Sequence, residues 1–370
     1  DGLTVNALLD TTLQLRGTLT EGEDVLKELE SGLSGMEQGL EQMESGLNGE
    51  EREIGGEIRA DGYDVRAALS RLWRSFAGKL RAQVHAELGF AVKLLALIFL
   101  SAFACSTCPD EKVRGMIEIS GVCAAGAILT GGMDSLTAQT SDAVYRLSDY
   151  SKAALPAVYT AAAASGGVSS TATGYALACL ALDVIMSLSQ KAVIPLIYAT
   201  LALALADTVF PNPLLAAMGR LTKWAAKTVL TWSTLAFTAC LGMSSLISTK
   251  ADAAALKAAR TVISGTLPVV GGMLSDASAA VLSAGAVVLS CMGVFGLVAV
   301  CAMCVGPFTL LTVKGMLFKS VAAVAESVQS PRLQKLFSGI GGAVGLLMGL
   351  LGANAVMLFL SLAAAMKVVT

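Results

Sequence analysis

A few charged and amide side chains inside otherwise apolar stretches are the residues of this sequence that could do chemistry. Asp183 lies within an apolar run, Lys191 follows that run, Asp207 closes the next one, and Asn354 lies in the last. Ionisable residues at membrane depth are rare and usually mark the pathway of an ion or a substrate. We therefore predict that Asp183 faces the interior of a helical bundle. Lys191 and Asp207 either join the same polar lining or occupy loop or snorkelling positions.

Cysteine and histidine residues add little to this chemistry. The pairs Cys105/Cys108 and Cys301/Cys304 have the CxxC spacing of a redox pair or of half a zinc site. A zinc site would need two more ligands, and the single histidine, His85, lies in a basic amphipathic stretch. The sequence contains no GxxxxGKS/T motif, so any energy source would have to be another subunit. We predict that the protein is not an enzyme and has no catalytic, cofactor-binding or metal-binding residues.

The elements that must position these residues are membrane helices. Of the 370 residues, 55% are hydrophobic and only 15% are charged, and the mean hydropathy is +0.69. Soluble domains carry about 25% charged residues, so lipid must be the solvent for most of this chain. We predict an all-α polytopic membrane protein with about seven transmembrane helices. The apolar runs are 89–104, 116–134, 171–189, 192–209, 226–247, 280–305, 307–325 and 338–366.

An acidic region at 1–64 precedes the membrane body. It carries 16 acidic and 4 basic side chains, and its apolar residues follow the a and d positions of a heptad repeat. Gly32, Gly39 and Gly46 recur every seven residues beside this seam. The region is either an oligomerisation or docking helix, or an amphipathic helix that folds back on its own membrane body, and we expect it outside the cytoplasm. The seam consists of Leu26, Leu29, Leu33, Met36, Leu40, Met43 and Leu47.

A basic stretch at 65–88 connects the acidic region to the membrane body, residues 89–370. It contains Trp73 and Phe76 and has the pattern of an amphipathic helix that lies at the headgroup level. Glycines crowd the last apolar run at positions 342, 345, 349 and 352. They allow close helix approach, either within the chain or at a subunit interface.

The membrane body contains an internal duplication with an offset of 112 residues. Leu155-Pro156 corresponds to Leu267-Pro268, and Pro195 corresponds to Pro307. Each Leu-Pro pair opens a small-residue segment that could be a re-entrant or interfacial turn. Three spans per unit would make the copies inverted in the membrane, as in many transporters, whereas two or four would make them parallel. The predicted spans give three, at 116–134, 171–189 and 192–209.

The stretch from Ala251 to Leu289 resembles the stage III sporulation protein AE family, and the resemblance covers about residues 90–370. It is carried by Lys257 and Arg260, followed by Pro268-Val269-Val270-Gly271 and by Ser275-Asp276-Ala277. The resemblance gives Pro268, Gly271, Gly272, Ser275 and Asp276 as motif positions without an assigned role. It implies no catalytic residues.

The resemblance implies a membrane subunit of the channel, or feeding apparatus, that links mother cell and forespore during endospore formation. The protein would lie in the mother-cell membrane that surrounds the forespore. Its partners would be other membrane proteins of the same complex, including a separate ATPase subunit, and it would be oligomeric. Nucleic acid is not an expected partner, because no basic cluster is interleaved with stacking aromatic residues.

A second hypothesis comes from the residues alone. It is a secondary transporter built from inverted repeats, with Asp183 as the residue that couples ion and substrate movement. Such a transporter would move its substrate without partner proteins.

Overall fold

The computed structural model describes residues 38–47, 49, 51–52, 65–108, 110–164, 168–266 and 271–367. Side chains are described over 38–47, 49, 51–52, 70–108, 110–129, 131–162, 176–241 and 289–366. All regular secondary structure in this part of the chain is helical. The helices are α1 (Val65–Thr107), α2 (Glu111–Ala164), α3 (Val168–Leu188), a π-helical turn (Ser189–Val193), α4 (Ile194–Val209), α5 (Pro213–Thr266), α6 (Gly271–Ser327) and α7 (Pro331–Lys367).

Three short turns connect these helices in pairs: Cys108 and Asp110 are the described residues between α1 and α2, 210–212 lie between α4 and α5, and 328–330 lie between α6 and α7. Side chains in the turns cap the helices that follow. The Asp110 carboxylate accepts a hydrogen bond from the Lys112 N–H at 3.0 Å, and the Asn212 side-chain oxygen accepts one from the Leu214 N–H at 2.9 Å. A proline is the first residue of both α5 and α7, where its missing N–H costs no helical hydrogen bond.

All three turns lie at one end of the bundle. Arg332, in the first turn of α7, forms an ion pair at 3.2 Å with Glu118 of α2. Lys335, one turn further on, forms an ion pair at 2.8 Å with Asp207 near the end of α4. The six long helical segments therefore run alternately towards and away from a shared end. We call this the turn end of the bundle.

The merging of predicted spans is the main correction to the sequence analysis. Runs 171–189 and 192–209 belong to one continuous helix, in which the π-helical turn joins α3 to α4. Runs 280–305 and 307–325 both lie in α6, with Pro307 inside the helix. Proline is tolerated within membrane helices because neighbouring groups can satisfy the freed backbone carbonyl.

Five helices in the described part of the chain are long and apolar enough to cross a membrane, so the predicted number of seven is not confirmed. They are Ser70–Thr107, Glu111–Ala162, Ala176–Val209, Leu289–Ser327 and Pro331–Met366. The count of three spans per unit was wrong, because it required 171–189 and 192–209 to be separate. Since the inference that the two copies are inverted rested on this count, it no longer has support.

Of the two Leu-Pro pairs, the structure describes Leu155-Pro156 but not Leu267-Pro268. Leu155 is buried and Pro156 lies inside α2, which continues to Ala164, so the first segment is not a re-entrant turn. Pro268 lies outside the described residues. The duplication itself stays a prediction from the sequence.

The described part of the acidic region folds back on the membrane body. Residues 38–45 are helical, and the seam residues Met43 and Leu47 are buried in the main hydrophobic core. Glu51 forms an ion pair with Arg146 of α2. Of the two alternatives from the sequence, the second therefore holds for this segment. The upstream seam residues lie outside the described residues.

The heptad glycines explain how this segment reaches the body. A methyl group built on Gly39 would lie 3.0 Å from the Cβ of Ala157, and one built on Gly46 would lie 3.3 Å from the ring of Tyr150. Both contacts are tighter than ordinary van der Waals distance, so a larger residue at either position would force the neighbouring side chain to shift. A methyl group on Gly49 meets no atom within 4 Å.

We predict that Gly39→Leu destabilises the packing of the N-terminal segment by about 1–3 kcal/mol, as expected for overpacking against a rigid backbone. Limited proteolysis of the purified protein should then cut after residue 52 faster than in the unmodified chain. Gly49→Leu is the matched control and should leave the cleavage rate unchanged. Equal rates for the two variants would contradict the packing described above.

Candidate functional site

The π-helical turn Ser189–Val193 interrupts an otherwise continuous helix. In an α-helix the N–H of Ile194 would bond to the carbonyl of Gln190, but here it donates to the carbonyl of Ser189. Pro195 follows directly, and a proline has no N–H to offer the carbonyl four residues before it. The wider turn accommodates this proline without ending the helix. Single π-turns within α-helices are frequent at functional sites.

A buried amide from α7 lies against this turn. The side chain of Asn354 is fully buried, and its Nδ2 donates to the carbonyl of Leu350 at 2.7 Å. The same Nδ2 lies 3.3 Å from the hydroxyl oxygen of Ser189, which is also buried. The Oδ1 of Asn354 has no hydrogen-bond partner among the described residues. The amide flagged in the last apolar run thus links the π-turn to α7.

The two charged residues predicted here lie on the outside of the bundle. Asp183 and Lys191 are both exposed, and the prediction that Asp183 faces the bundle interior was wrong. Their face also carries Leu180 and Val184, which are 67% and 64% exposed. No described residue forms an ion pair with either charge. The result is an apolar outer face that carries one acid and one base without partners.

Asp207 is buried rather than placed in a loop or snorkelling. It pairs with Lys335, which is itself half exposed, and this ion pair ties α4 to α7. The role of Asp207 is to hold the turn end of the bundle together.

A second buried charge was missed by the sequence analysis. Lys314 of α6 is buried and pairs with Glu87 of α1. Its ammonium group also lies 4.2 Å above the ring centre of Phe90, which packs edge-on against Phe318 at 6.4 Å. Lys314 lies inside the run 307–325. A search for ionisable residues within apolar runs, the criterion that identified Asp183, would therefore also have found Lys314. Glu87 gave no such signal, because it lies in the basic stretch assigned to the headgroup level.

The remaining sequence candidates do not join this site. Gly271, Gly272, Ser275 and Asp276 belong to the first turns of α6, where only the backbone is described. The eight cysteines all lie in the described ranges and none of them forms a disulfide there, including those of both CxxC pairs. Within the described ranges, no three His, Cys, Asp or Glu side chains are arranged to hold a metal ion.

We predict that Asn354→Leu is tolerated, because it removes both the amide and its unpartnered oxygen while keeping the volume. Asn354→Asp should lower the free energy of unfolding by about 2–4 kcal/mol, since it buries a charge with no partner. Thermal unfolding in detergent compares the two variants. Equal destabilisation would mean that the contact with Ser189, rather than burial cost, governs this position.

We also predict that Lys314→Met destabilises the bundle by about 3–5 kcal/mol, because it leaves Glu87 charged and unpaired in a buried place. The double variant Glu87→Leu/Lys314→Met should recover most of that loss, since both charges are then removed. A double variant no more stable than the single one would show that the pair itself is needed. The same unfolding measurement decides between these outcomes.

Comparison with known families gives a match over most of the chain. The family described as Stage III sporulation protein AE matches residues 61–368, which include α1 to α7 in full. The match begins upstream of residue 90, so the basic stretch at 65–88 is part of the family region. Neither the curated proteins nor the solved structures gave a match.

Proposed function

Since this chain belongs to the stage III sporulation protein AE family, we propose that it is a membrane subunit of the channel complex that links mother cell and forespore. Family membership and the five apolar helices make it a sporulation-related membrane protein. In the proposed role it lies in the mother-cell membrane around the forespore. It acts there with other membrane proteins rather than alone.

The observation that carries this proposal is the exposed pair Asp183 and Lys191. A charge at the centre of a membrane helix costs roughly 2.5–3.5 kcal/mol on insertion scales. A partner helix that brings an opposite charge to this face would offset that cost for both residues. The exposed neighbours Leu180 and Val184 would be covered by the same contact. A subunit that is incomplete without its neighbours has this kind of surface.

The polar groups on the inside of the bundle support the same function. Lys314, Asp207 and Asn354 each contact another helix of the same chain. They hold the chain together, and the buried carboxylate among them, Asp207, is already paired with Lys335. The chain also lacks a nucleotide-binding motif, so a separate ATPase subunit supplies the energy in this proposal.

The transporter alternative has no structural observation in its favour. It requires Asp183 to face a substrate pathway, but that residue faces outward. It also requires inverted copies, and the span count behind them was wrong.

The acidic region would contact a partner through its exposed surface, such as Glu41, because Met43 and Leu47 are buried against the body.

The test is the composition of the assembly purified in mild detergent from sporulating cells. We expect a large complex that contains other membrane proteins. Asp183→Lys and Lys191→Asp should each reduce the amount of co-purifying proteins by about tenfold. Each variant gives residues 183 and 191 the same charge, so one of them would repel the partner charge that the original residue attracts. The amount of the chain in the membrane should stay the same.

Asp134→Lys is the matched control for Asp183→Lys, since Asp134 is an exposed acid on α2 and the two variants change the charge by the same amount. This variant should retain the full set of partners. Two results would refute the proposal: a lone monomer or dimer in every mild detergent, or a full complement of partners with both variants at 183 and 191.

A further inference from the structure

Exposed small residues of α7 lie between side chains of α5 and α6, and we call this surface the groove, with α7 as its floor. On the α5 side, Lys223 lies over Gly342 and Leu230 lies 3.9 Å from a methyl group built on Gly349. The seven-residue step on both helices shows that α5 and α7 run parallel along this wall. On the α6 side, a methyl group built on Gly341 would lie 3.7 Å from the side chain of Lys319.

The floor of the groove has no bulky side chain. Ser338, Gly345 and Gly349 are exposed, and they lie between the two walls on one face of α7. A methyl group built on Gly345 meets no atom within 4 Å. The backbone of α7 is therefore open to a molecule that enters between Lys223 and Lys319.

Four basic residues border this groove without partners. Arg220, Lys223 and Lys227 follow one another along α5, and Lys319 stands on α6 across the floor. All four are exposed, and no carboxylate among the described residues forms an ion pair with them. The basic residues that lie nearby but outside the groove behave differently, since each has a carboxylate partner: Lys314, Arg332 and Lys335. The groove thus brings four unpaired positive charges together on one face of the described bundle.

The groove lies at the edge of a charge-free zone. Residues 228–249 of α5, 277–313 of α6 and 336–366 of α7 contain no Asp, Glu, Lys or Arg. Trp224 and Trp232 of α5 are 63% and 67% exposed, as is typical of tryptophans near the membrane–water boundary. Basic residues that border an apolar zone meet the phosphates of the lipid headgroups.

We propose that this groove binds the headgroup phosphate of an anionic phospholipid. Lys223 and Lys319 hold the phosphate from the two walls, and Arg220 and Lys227 add to the positive potential. Gly341, Gly342 and Gly345 let the headgroup approach the α7 backbone. An acyl chain of the same lipid lies along the small-residue floor towards Gly349.

The test uses the full chain in detergent, exchanged into phosphatidylcholine nanodiscs with or without phosphatidylglycerol. Native mass spectrometry then measures how much phosphatidylglycerol stays bound. Lys223→Gln/Lys319→Gln should reduce bound phosphatidylglycerol by about tenfold. The control Lys112→Gln/Lys152→Gln removes the same charge from exposed positions outside the groove, and it should bind like the unmodified chain.

Gly345→Leu tests the shape of the groove without changing any charge. The open space at Gly345 means that this variant should fold normally and still lose bound lipid to a similar extent. Unchanged phosphatidylglycerol binding by either groove variant, or equal loss by the control, overturns the proposal. Inorganic phosphate distinguishes the two sources of the ligand. If phosphate alone binds as tightly as phosphatidylglycerol, the assignment to a lipid is wrong.

Discussion

The burial of α7 among five other helices is the constraint on which the positions of the rest depend. It contacts α2, α3, α4, α5 and α6, and much of its inward face is fully buried: Leu336, Phe337, Val344, Leu347, Leu350, Leu351 and Met357. Apolar side chains gain little by leaving lipid for a protein core, so close packing and a few polar links must hold such a bundle. Gly339 shows how close the packing is, because an added methyl group would lie 3.0 Å from Ala204 of α4. The ion pairs of Arg332 and Lys335 and the amide of Asn354 provide the polar links.

The described charges within the helices divide into two groups by direction. Those that point inward, such as Lys314 and Asp207, have partners on another helix of the chain. Those that point outward at the π-turn and at the α5–α6 groove have none. The inward group keeps this chain folded. The outward-pointing charges lie at two places that differ in sign. Asp183 and Lys191 have opposite charges, which suit a protein partner, whereas the charges beside Gly345 are all positive and suit a phosphate.

Composition and periodicity were enough to predict an all-helical membrane protein, and the residues around Ser275 were enough to identify the family. The direction of Asp183 was not predictable, because a helix that is apolar on all sides gives no periodic signal for its buried face. The joining of 171–189 to 192–209 was missed because the polar residues Gln190 and Lys191 separate the two apolar runs, and the π-turn that joins them leaves no pattern in sequence. The heptad seam allowed two arrangements. Contacts with residues far along the chain distinguish them, such as the packing of Gly39 against Ala157 and the ion pair of Glu51 with Arg146.

The helices of this bundle are much longer than a bilayer requires. Since α6 has 57 residues, it is about 85 Å long, far more than the roughly 30 Å of a hydrocarbon core. Part of the bundle must therefore extend beyond the lipid into water. The acidic N-terminal segment packs beside Tyr150 and Ala157 of α2, at the end away from the three described turns. The acidic segment and these turns therefore lie at opposite ends of the bundle.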